Sequence, residues 1–251
     1  MDSRDEGIAR PLLSGSPYEP EEMAFVRSVL RPGDTFVDVG ANVGQYSTLA
    51  ASIVGPEGRV FAFEPDPRNF RLLSRGVEAN GLRNVTLERL AVSDRAGAAR
   101  LYRNLLNHGN HRMFDGRGSS GSRSVRTIRL DDYFADRGIT VDFLKMDIEG
   151  AEHHAFRGMM RLLEASLGRI TVLTEIWPRG MQKAGGDPLE LLRMLEGVGF
   201  GIRAVDGRSM TVPEALDSCP PEGYINLILQ GTGKGGPSNR AAPGVEGLVR
   251  V

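Results

Sequence analysis

The sequence predicts an α/β protein built on a doubly wound, mostly parallel sheet with helices on both faces. Three observations lead to this prediction. Short apolar runs rich in β-branched residues alternate along the chain with longer segments of helical periodicity. The first apolar run is followed directly by a glycine-rich loop and a helical segment. The length of 251 residues suits one such domain with some additional segments.

The strand and helix segments follow one another in the order expected for right-handed parallel crossovers. The first helix begins near Pro20, because proline suits the first turn of a helix. The predicted strands are Thr35–Val39, Arg59–Phe63, 85–92, 98–102, 124–130, Phe143–Met146, 170–176, 201–205 and 224–229. The later predicted helices are Gln45–Val54, Pro67–Ala79, 151–163 and Pro188–Val198.

We expect three parts in the chain. Residues 1–19 are polar and contain several prolines, and we interpret them as a flexible N-terminal arm. Residues 20–230 form the predicted folded domain. Residues 231–251 are rich in Gly and Pro and are predicted to be a disordered tail.

The composition indicates a folded protein without a general attraction for polyanions or lipids. Hydrophobic residues make up 40% of the chain, charged residues 25%, and the formal net charge is -1. We therefore expect neither nucleic acid nor a membrane as a partner. Cys219 is the single cysteine and cannot form an intrachain disulfide. No signal peptide or apolar run of roughly 18 residues is found, so a cytoplasmic location is expected.

The loop after the first predicted strand is the main functional candidate. It reads Asp38-x-Gly40-x-Asn42-x-Gly44 and opens a predicted helix. Gly40 permits a tight turn, and Gly44 lets the helix begin close to a ligand. An ordinary strand-to-helix turn is the alternative interpretation, with Asp38 capping backbone amides.

Two acidic residues favour a cationic cofactor over a dinucleotide. Asp38 would repel a pyrophosphate, and Glu64 ends the next strand at the position that binds ribose hydroxyls in doubly wound folds. The loop also departs from G-x-G-x-x-G, because Asn42 replaces the second glycine and Gln45 the third. S-adenosylmethionine has an amino group, a ribose and a sulfonium, and it therefore fits better than NAD.

Several stretches of the sequence carry a family signature. They are residues 36–44, 60–65, 91–94, 125–133, 142–152 with 157–158, and 172–176. The string Asp-Ile-Glu-Gly-Ala-Glu at residues 147–152 is the most specific of them. In this order the stretches resemble the FkbM-type methyltransferases, within the broad class of Rossmann-like methyltransferases.

The resemblance implies a Rossmann-like sheet with one antiparallel strand and methyl transfer from S-adenosylmethionine. It also implies that Ala91 and Val92 belong to the cofactor site. Acceptors in this family are typically hydroxyl groups of sugars, polyketides or other small metabolites. The residues after Trp177 carry no transferable motif, so the resemblance does not name the acceptor.

Carboxylates at the ends of strands are the candidate catalytic groups. Asp147 follows a predicted strand, and because ligands bind beyond such ends it is assigned both a catalytic and a cofactor-binding role. Glu149 is either catalytic or a charge that complements the next helix, and Glu152 is interpreted as the latter. Glu175 ends the following strand and should face the same crevice, because an acid in an apolar strand needs a partner.

Basic side chains supply further candidates. His108 and His111, in the long polar loop 104–123, are candidate general bases, with solvated loop histidines as the alternative. Five arginines between residues 112 and 129 either hold an anionic substrate or form a solvated basic loop. His153 and His154 are interpreted as structural, because neighbours on a helix cannot face one site.

The leading functional prediction is O-methylation of a hydroxyl on a small molecule. The alternatives are a nucleic-acid methyltransferase, an NAD-linked oxidoreductase and a binding module that keeps the fold without catalysis. No compact set of metal ligands is present in the sequence, so no metal is predicted. Asp147 and Glu175 are the residues that could otherwise bind Mg²⁺. The oligomeric state is not predicted.

Overall fold

A computed structural model of the chain describes residues 19–104, 112, 114–115 and 119–232. The strands are β1 Thr35–Val39, β2 Arg59–Phe63, β3 Val85–Glu88, β4 Ala91–Val92, β5 Gly97–Asn104, β6 Ser119–Ile128, β7 Phe143–Met146, β8 Thr171–Ile176, β9 Phe200–Ala204, β10 Ser209–Met210 and β11 Ile225–Gly231. The helices are α1 Pro20–Val29, α2 Gln45–Val54, α3 Pro67–Ala79, α4 Leu130–Phe134, α5 Glu152–Arg157, α6 Met160–Ser166, α7 Pro178–Lys183, α8 Pro188–Val198 and α9 Val212–Asp217.

The main sheet has the strand order β10-β9-β11-β8-β7-β1-β2-β3. The pairs from β3 to β8 are parallel, whereas β11 is antiparallel to both β8 and β9, and β10 is antiparallel to β9. The predicted mostly parallel sheet with an antiparallel part is confirmed. The chain runs from β1 to β2 in one direction and reaches β7 on the other side, so the switch in strand order lies between β1 and β7. Ligands of open α/β sheets bind beyond the carboxyl ends of the strands at such a point.

Helices cover both faces of this sheet, and the alternation of side chains along β1 shows why. Phe36 packs into a cluster with α1 and α2, whereas Val37 and Val39 pack into the larger cluster on the opposite face. That larger cluster also contains apolar residues of α4, α5, α6, α8 and α9. The central strands β7 and β8 are buried along their whole length, which is typical of parallel strands between two helical layers.

Local sequence signals position several helices next to the strands. Asp66 caps α3 by accepting hydrogen bonds from the backbone N–H groups of Arg68 and Asn69 at 2.8 and 3.2 Å, and Pro67 occupies the first turn. Asp187 caps α8 in the same way. These caps fix where α3 and α8 begin, and both helices match the predicted bounds.

A second, three-stranded sheet corrects one prediction. Residues 85–92 were predicted as a single strand, but β3 ends at Glu88 and β4 belongs to the separate sheet β4-β6-β5. The chain leaves the main sheet between these strands, at Arg89 and Leu90. The long strands β5 and β6 form an antiparallel pair across the long polar loop.

The predicted helix 151–163 is also wrong in its continuity. The chain forms α5 and α6 instead, with a break at Gly158 and Met159. A Cβ atom at Gly158 would overlap the carbonyl oxygen of Ser93. The break therefore lets the chain approach the loop after β4.

Some predictions fall largely or wholly outside the described residues. Residues 1–18, 233–251 and both His108 and His111 belong to this group. At the predicted tail boundary, Gly231 still pairs with β9 as part of β11. Within the described ranges, none of the helices is both long and apolar enough to cross a membrane.

Candidate active site

The loop after β1 turns through left-handed backbone conformations. Gly40, Asn42 and Gly44 have φ angles of 83, 51 and 93°, a region that glycine adopts without steric cost and asparagine tolerates. A Cβ atom at Gly40 would overlap the carbonyl oxygen of Asp147, and one at Gly44 would overlap the side chain of Leu73. Glycine is needed at position 40 because the loops after β1 and β7 touch each other, and at position 44 because the loop packs closely on α3.

Glu64 connects this loop to the loop after β2. Its side chain is buried, with 5% of the residue exposed. Its Oε2 atom accepts a hydrogen bond from the N–H of Asn42 at 2.9 Å, and Oε1 accepts one from the N–H of Asp66 at 2.7 Å. Burial raises the pKa of Glu64 to about 8, although the two amide donors oppose the shift.

Asp38 lies beneath the loop and is fully buried. Its Oδ2 atom accepts a hydrogen bond from the hydroxyl of Ser47 at 2.5 Å, and its Oδ1 atom has no hydrogen-bond partner in the described part of the chain. Burial raises the pKa of Asp38, while the positive charge of Lys145 opposes the shift. The carboxylate thus contacts the underside of the loop and the first turn of α2.

Lys145 is a functional candidate that the sequence analysis missed. Its Nζ atom donates a hydrogen bond to Oδ2 of Asp147 at 3.1 Å and lies 4.8 Å from the ring centroid of Tyr46. Burial alone would lower the pKa of Lys145. The carboxylates of Asp147, Asp38 and Glu19 raise it by more than that, so the pKa lies above its ordinary value and the ammonium stays charged. The available signal was a single lysine in the otherwise apolar strand β7.

A cavity opens beyond the carboxyl ends of β1, β2 and β7. The empty space inside it, counted together with its open mouth, is about 610 Å³. Apolar side chains of β4 and β5 face polar groups of the two loops. The lining residues predicted from the sequence are Gly40, Asn42, Glu64, Ala91, Val92, Asp147 and Glu149.

Asp38, Gly44 and Glu175 are the described site residues of the prediction that do not line this cavity. Asp38 and Gly44 support the loop from below and from the side of α3, and neither lines the cavity. Glu175, at the end of β8, is 7% exposed, and its Oε1 atom is buried without a hydrogen-bond partner among the described residues. Burial raises the pKa of Glu175, and the negative charges of Asp147 and Glu149 raise it further.

The loop after β7 is held by Glu152. Its Oε1 atom accepts hydrogen bonds from the N–H groups of Ile148 and Gly150 at 3.0 and 3.2 Å. Burial raises the pKa of Glu152 to about 7, and these backbone donors oppose the shift. Glu149, between the two donors, has a φ of 57° and points from this turn toward the cavity wall.

Trp177, Arg112 and Phe114 form an aromatic cluster beside Glu149. The guanidinium carbon of Arg112 lies 4.5 Å from the ring centroid of Trp177, and the rings of Phe114 and Trp177 are 6.0 Å apart. A guanidinium over an indole face contributes about 0.5–2 kcal/mol. Arg112 Nε also lies 4.0 Å from Oε2 of Glu149. The sequence analysis noted Arg112 only as part of a basic stretch.

The two adjacent histidines form hydrogen bonds within the fold, in keeping with the structural role predicted for them. His153 Nδ1 accepts a hydrogen bond from the N–H of Asp187 at 2.7 Å. His154 lies 3.3 Å from Asp94 and 3.0 Å from the carbonyl oxygen of Ala184. Across the described positions, no group of three His, Cys, Asp or Glu side chains is arranged to hold a metal ion.

The sheet order, the glycine-containing loop after β1, the buried acid near the end of β1 and the buried acid after β2 define the class of S-adenosylmethionine-dependent methyltransferases. Residues 38–202 match the family model described as "Methyltransferase FkbM domain". The chain belongs to the FkbM methyltransferase family. This membership decides between methyl transfer and the NAD-linked hydride transfer considered from the sequence in favour of methyl transfer.

Three curated relatives match the chain over different lengths. It is 31% identical over 211 residues to the 31-O-demethyl-FK506 methyltransferase FkbM of Streptomyces tacrolimicus, covering 70% of this chain and 75% of that protein. It is 28% identical over 165 residues to the hexuronic acid methyltransferase AglP of Haloferax volcanii, covering 64% and 61%. It is 41% identical over 51 residues to the ribosomal RNA large subunit methyltransferase E of Nitrosomonas eutropha, covering 20% and 25%.

The residues of the cavity fit the cofactor of this class. Glu64 presents a buried carboxylate to the cavity wall, which suits the hydroxyl donors of a ribose. Leu90, Ala91 and Val92 provide an apolar wall for a planar base. Asp147 and Glu149 are carboxylates on the remaining side, and their charge suits a cationic sulfonium and amino group.

Proposed function

We propose that this enzyme transfers a methyl group from S-adenosylmethionine to a hydroxyl oxygen of a small molecule such as a sugar or a polyketide. The observation that carries the proposal is the group of carboxylates at the carboxyl ends of β7 and β8. Asp147 and Glu149 line the cofactor cavity, and Glu175 lies close enough for their charges to raise its pKa. Such groups can accept the proton of a hydroxyl.

The relatives support a small-molecule acceptor. The relative from Streptomyces tacrolimicus is named for an O-demethyl derivative of FK506, and AglP is named for a hexuronic acid. Both matches extend over more than 60% of this chain, whereas the match to the ribosomal RNA methyltransferase extends over 20%. We therefore favour a small molecule over nucleic acid as the acceptor. The cytoplasmic location predicted from the sequence remains part of the proposal.

We assign the cofactor contacts as follows. Glu64 accepts hydrogen bonds from the ribose hydroxyls, and Ala91 and Val92 pack against the adenine. Gly40 and Asn42 bring the loop backbone close to the methionine part. Asp38 and Gly44 hold this loop in position from outside the cavity, through the contact with Ser47 and the close packing on Leu73.

Asp147 is assigned to the positive end of the cofactor. Nζ of Lys145 donates a hydrogen bond to Oδ2 of Asp147 at 3.1 Å, and this bond orients the carboxylate. When bound, S-adenosylmethionine supplies the methyl group, and its sulfur keeps the electron pair of the carbon–sulfur bond that breaks. The protein has to align the acceptor oxygen with that methyl carbon and remove the hydroxyl proton. The buried carboxylates beside Asp147 are available for the second task.

The proposal can be tested with labelled S-adenosylmethionine and a panel of acceptors. The panel contains sugars, uronic acids, polyketide alcohols, the corresponding amines and total RNA. We expect label in hydroxyl-bearing small molecules as an ether that resists mild base. Label only in amines or in RNA would contradict the proposal.

A pair of variants ties the reaction to this site. Asp147→Asn should lower kcat/KM for S-adenosylmethionine about 100-fold, because the carboxylate no longer balances the positive charge of the bound cofactor. Asp136→Asn is the matched control, since Asp136 is exposed and remote from the cavity. Equal rates in the two variants would refute the assignment of Asp147.

A further inference from the structure

The aromatic cluster of Arg112, Phe114 and Trp177 belongs to none of the motifs described above. Arg112 lies over two rings, 4.5 Å from the centroid of Trp177 and 5.8 Å from that of Phe114. About 20% of its side chain is exposed. Its Nε atom is buried without a hydrogen-bond partner in the described residues and lies 4.0 Å from Oε2 of Glu149. Arg112 therefore touches the wall of the cofactor cavity from the side of the second sheet.

The backbone of Arg112 is anchored as well. Its N–H donates a hydrogen bond to the carbonyl oxygen of Tyr102 at 3.0 Å, and the N–H of Tyr102 donates one to the carbonyl oxygen of Arg112 at 2.7 Å. Tyr102 belongs to β5. The guanidinium is thus fixed from both ends, by strand pairing at the backbone and by the ring of Trp177 at the tip.

Trp177 is fixed in turn by two glycines. A Cβ atom at Gly180 would overlap the indole ring, and a Cβ atom at Gly150 would overlap the backbone of Gly180. Gly150 directly follows Glu149 in the chain. The ring that supports Arg112 and the turn that carries Glu149 are therefore packed together through these two close backbone approaches.

The surroundings of Glu149 are strongly acidic. The charged and titratable groups that face it are Asp147, Glu152, Glu175, Tyr224, Arg112 and Lys145. Burial raises the pKa of Glu149, and the charge of Asp147 raises it further, while Arg112 lowers it. Arg112 contacts Glu149, whereas Lys145 donates its hydrogen bond to Asp147. Arg112 is therefore the cation that contacts Glu149, and its charge opposes part of the rise in the pKa of that carboxyl.

We propose that Arg112 is a positioning residue, which holds the carboxylate of Glu149 in the orientation that removes the proton from the acceptor hydroxyl. This inference rests on the proposed function, because it assumes a hydroxyl acceptor. The acceptor oxygen forms its bond to the methyl carbon, and the hydroxyl proton passes to an oxygen of Glu149. The carbon–sulfur bond that breaks leaves its electron pair on sulfur, so charge and atoms balance without another reactant.

The first measurement needs no acceptor. The side-chain carboxyl of Glu149 can be titrated by carbon NMR in protein saturated with S-adenosylhomocysteine, and Glu149→Gln assigns its signal. In Arg112→Gln the titration of Glu149 should move to higher pH, because the neighbouring positive charge is gone. In Arg193→Gln, which alters an exposed arginine of α8 remote from the cavity, the titration should stay in place. An unmoved titration in Arg112→Gln would overturn the proposal.

The second measurement is the pH dependence of kcat/KM with an acceptor that the wild-type enzyme methylates. We expect the acidic limb of the profile to move to higher pH in Arg112→Gln. The rate at pH 7 should decrease by roughly tenfold at most. Glu149→Gln should lower the rate about 100-fold or more at every pH. A lower rate with an unmoved limb in Arg112→Gln would show a merely structural role and would overturn the proposal.

Arg112→Lys keeps the charge but not the planar guanidinium, so it separates charge from orientation. It should keep the limb near that of the wild type and lose several-fold in kcat. A wild-type kcat in Arg112→Lys would overturn the positioning role. This test does not depend on Arg112→Gln, so it still applies if that variant fails to fold. If the NMR shift is found but the wild-type enzyme methylates no hydroxyl, the proposed function fails while the pairing of Arg112 with Glu149 stands.

Discussion

Replacing Glu64 by Gln gives the sharpest test of the cofactor site. The pKa of Glu64 is about 8 in the free protein, because the carboxylate is buried. Ribose hydroxyls can donate to this carboxylate, so the ionised form is the one expected to bind the cofactor product S-adenosylhomocysteine. At pH 7, one unit below that pKa, ionising the group costs about 1.4 kcal/mol. The affinity at pH 7 should therefore be about tenfold weaker than its limit above pH 8.

The sign of the effect follows from the same step. Binding selects the ionised carboxylate, so the affinity rises as the pH rises toward 8 and then levels off. Close to one proton should leave the protein at pH 7 on binding. Glu64→Gln has no charge to lose and should show no such slope. It should also bind about 10- to 100-fold more weakly at pH 8.5, because hydrogen bonds to a charged acceptor contribute about 1.5–3 kcal/mol.

Isothermal titration with S-adenosylhomocysteine between pH 6 and 9 measures both quantities. Two buffers with different ionisation enthalpies give the number of protons released. Glu78→Gln is the matched control, because Glu78 is an exposed glutamate on α3. A flat affinity profile with no proton release in the wild type would refute the reasoning. It would mean that the amide donors of Asn42 and Asp66 already keep Glu64 ionised, or that the ribose binds elsewhere.

Two further predictions concern the framework. Gly40→Ala should abolish cofactor binding and destabilise the protein by several kcal/mol in thermal unfolding, whereas Gly55→Ala should cost only the strain of its backbone conformation, about 1–3 kcal/mol, because nothing lies near a Cβ atom at Gly55; equal losses would contradict the close approach at Gly40. Asp142→Ala should lower the free energy of unfolding by about 3 kcal/mol in urea, because this buried carboxylate is bound by Arg169 and by a backbone N–H of β1. The exposed Asp136→Ala is its control, and a similar small loss in both would refute the role of that ion pair.

The sequence predicted the main sheet well because its signals are local. The bounds of α2, β2, α3, β7 and α8 agree with the structure, since apolar periodicity and capping residues such as Asp66 act within a few residues. Short elements such as α7 and α9 were missed, because five or six residues contain too little periodicity. The split between β3 and β4 was also missed, because the apolar pattern continues through Leu90 while the chain changes sheets.

The candidate site, like the sheet, could be predicted from the sequence only in part. The residues of the three loops that line the cavity, after β1, β2 and β7, could be predicted from their acids and glycines. Lys145 and Arg112 could not be assigned, because their importance comes from groups distant in the chain. Lys145 meets Asp38 through the pairing of β7 with β1, and Arg112 meets Trp177 through the second sheet. No pattern within one segment indicates either contact.

The crevice contains buried acids at or just after the carboxyl ends of four parallel strands, β1, β2, β7 and β8. Asp38, Glu64, Glu149 and Glu175 are all buried enough to raise their pKa values, which is unfavourable for the free protein near neutral pH. Lys145 and Arg112 compensate for only part of this negative charge. We expect a cofactor with a sulfonium and an amino group to supply positive charge on binding, which would favour the ionised forms of these acids. After methyl transfer the sulfur is neutral, so we expect the product to gain less from ionised carboxylates than the charged cofactor does, and to bind more weakly.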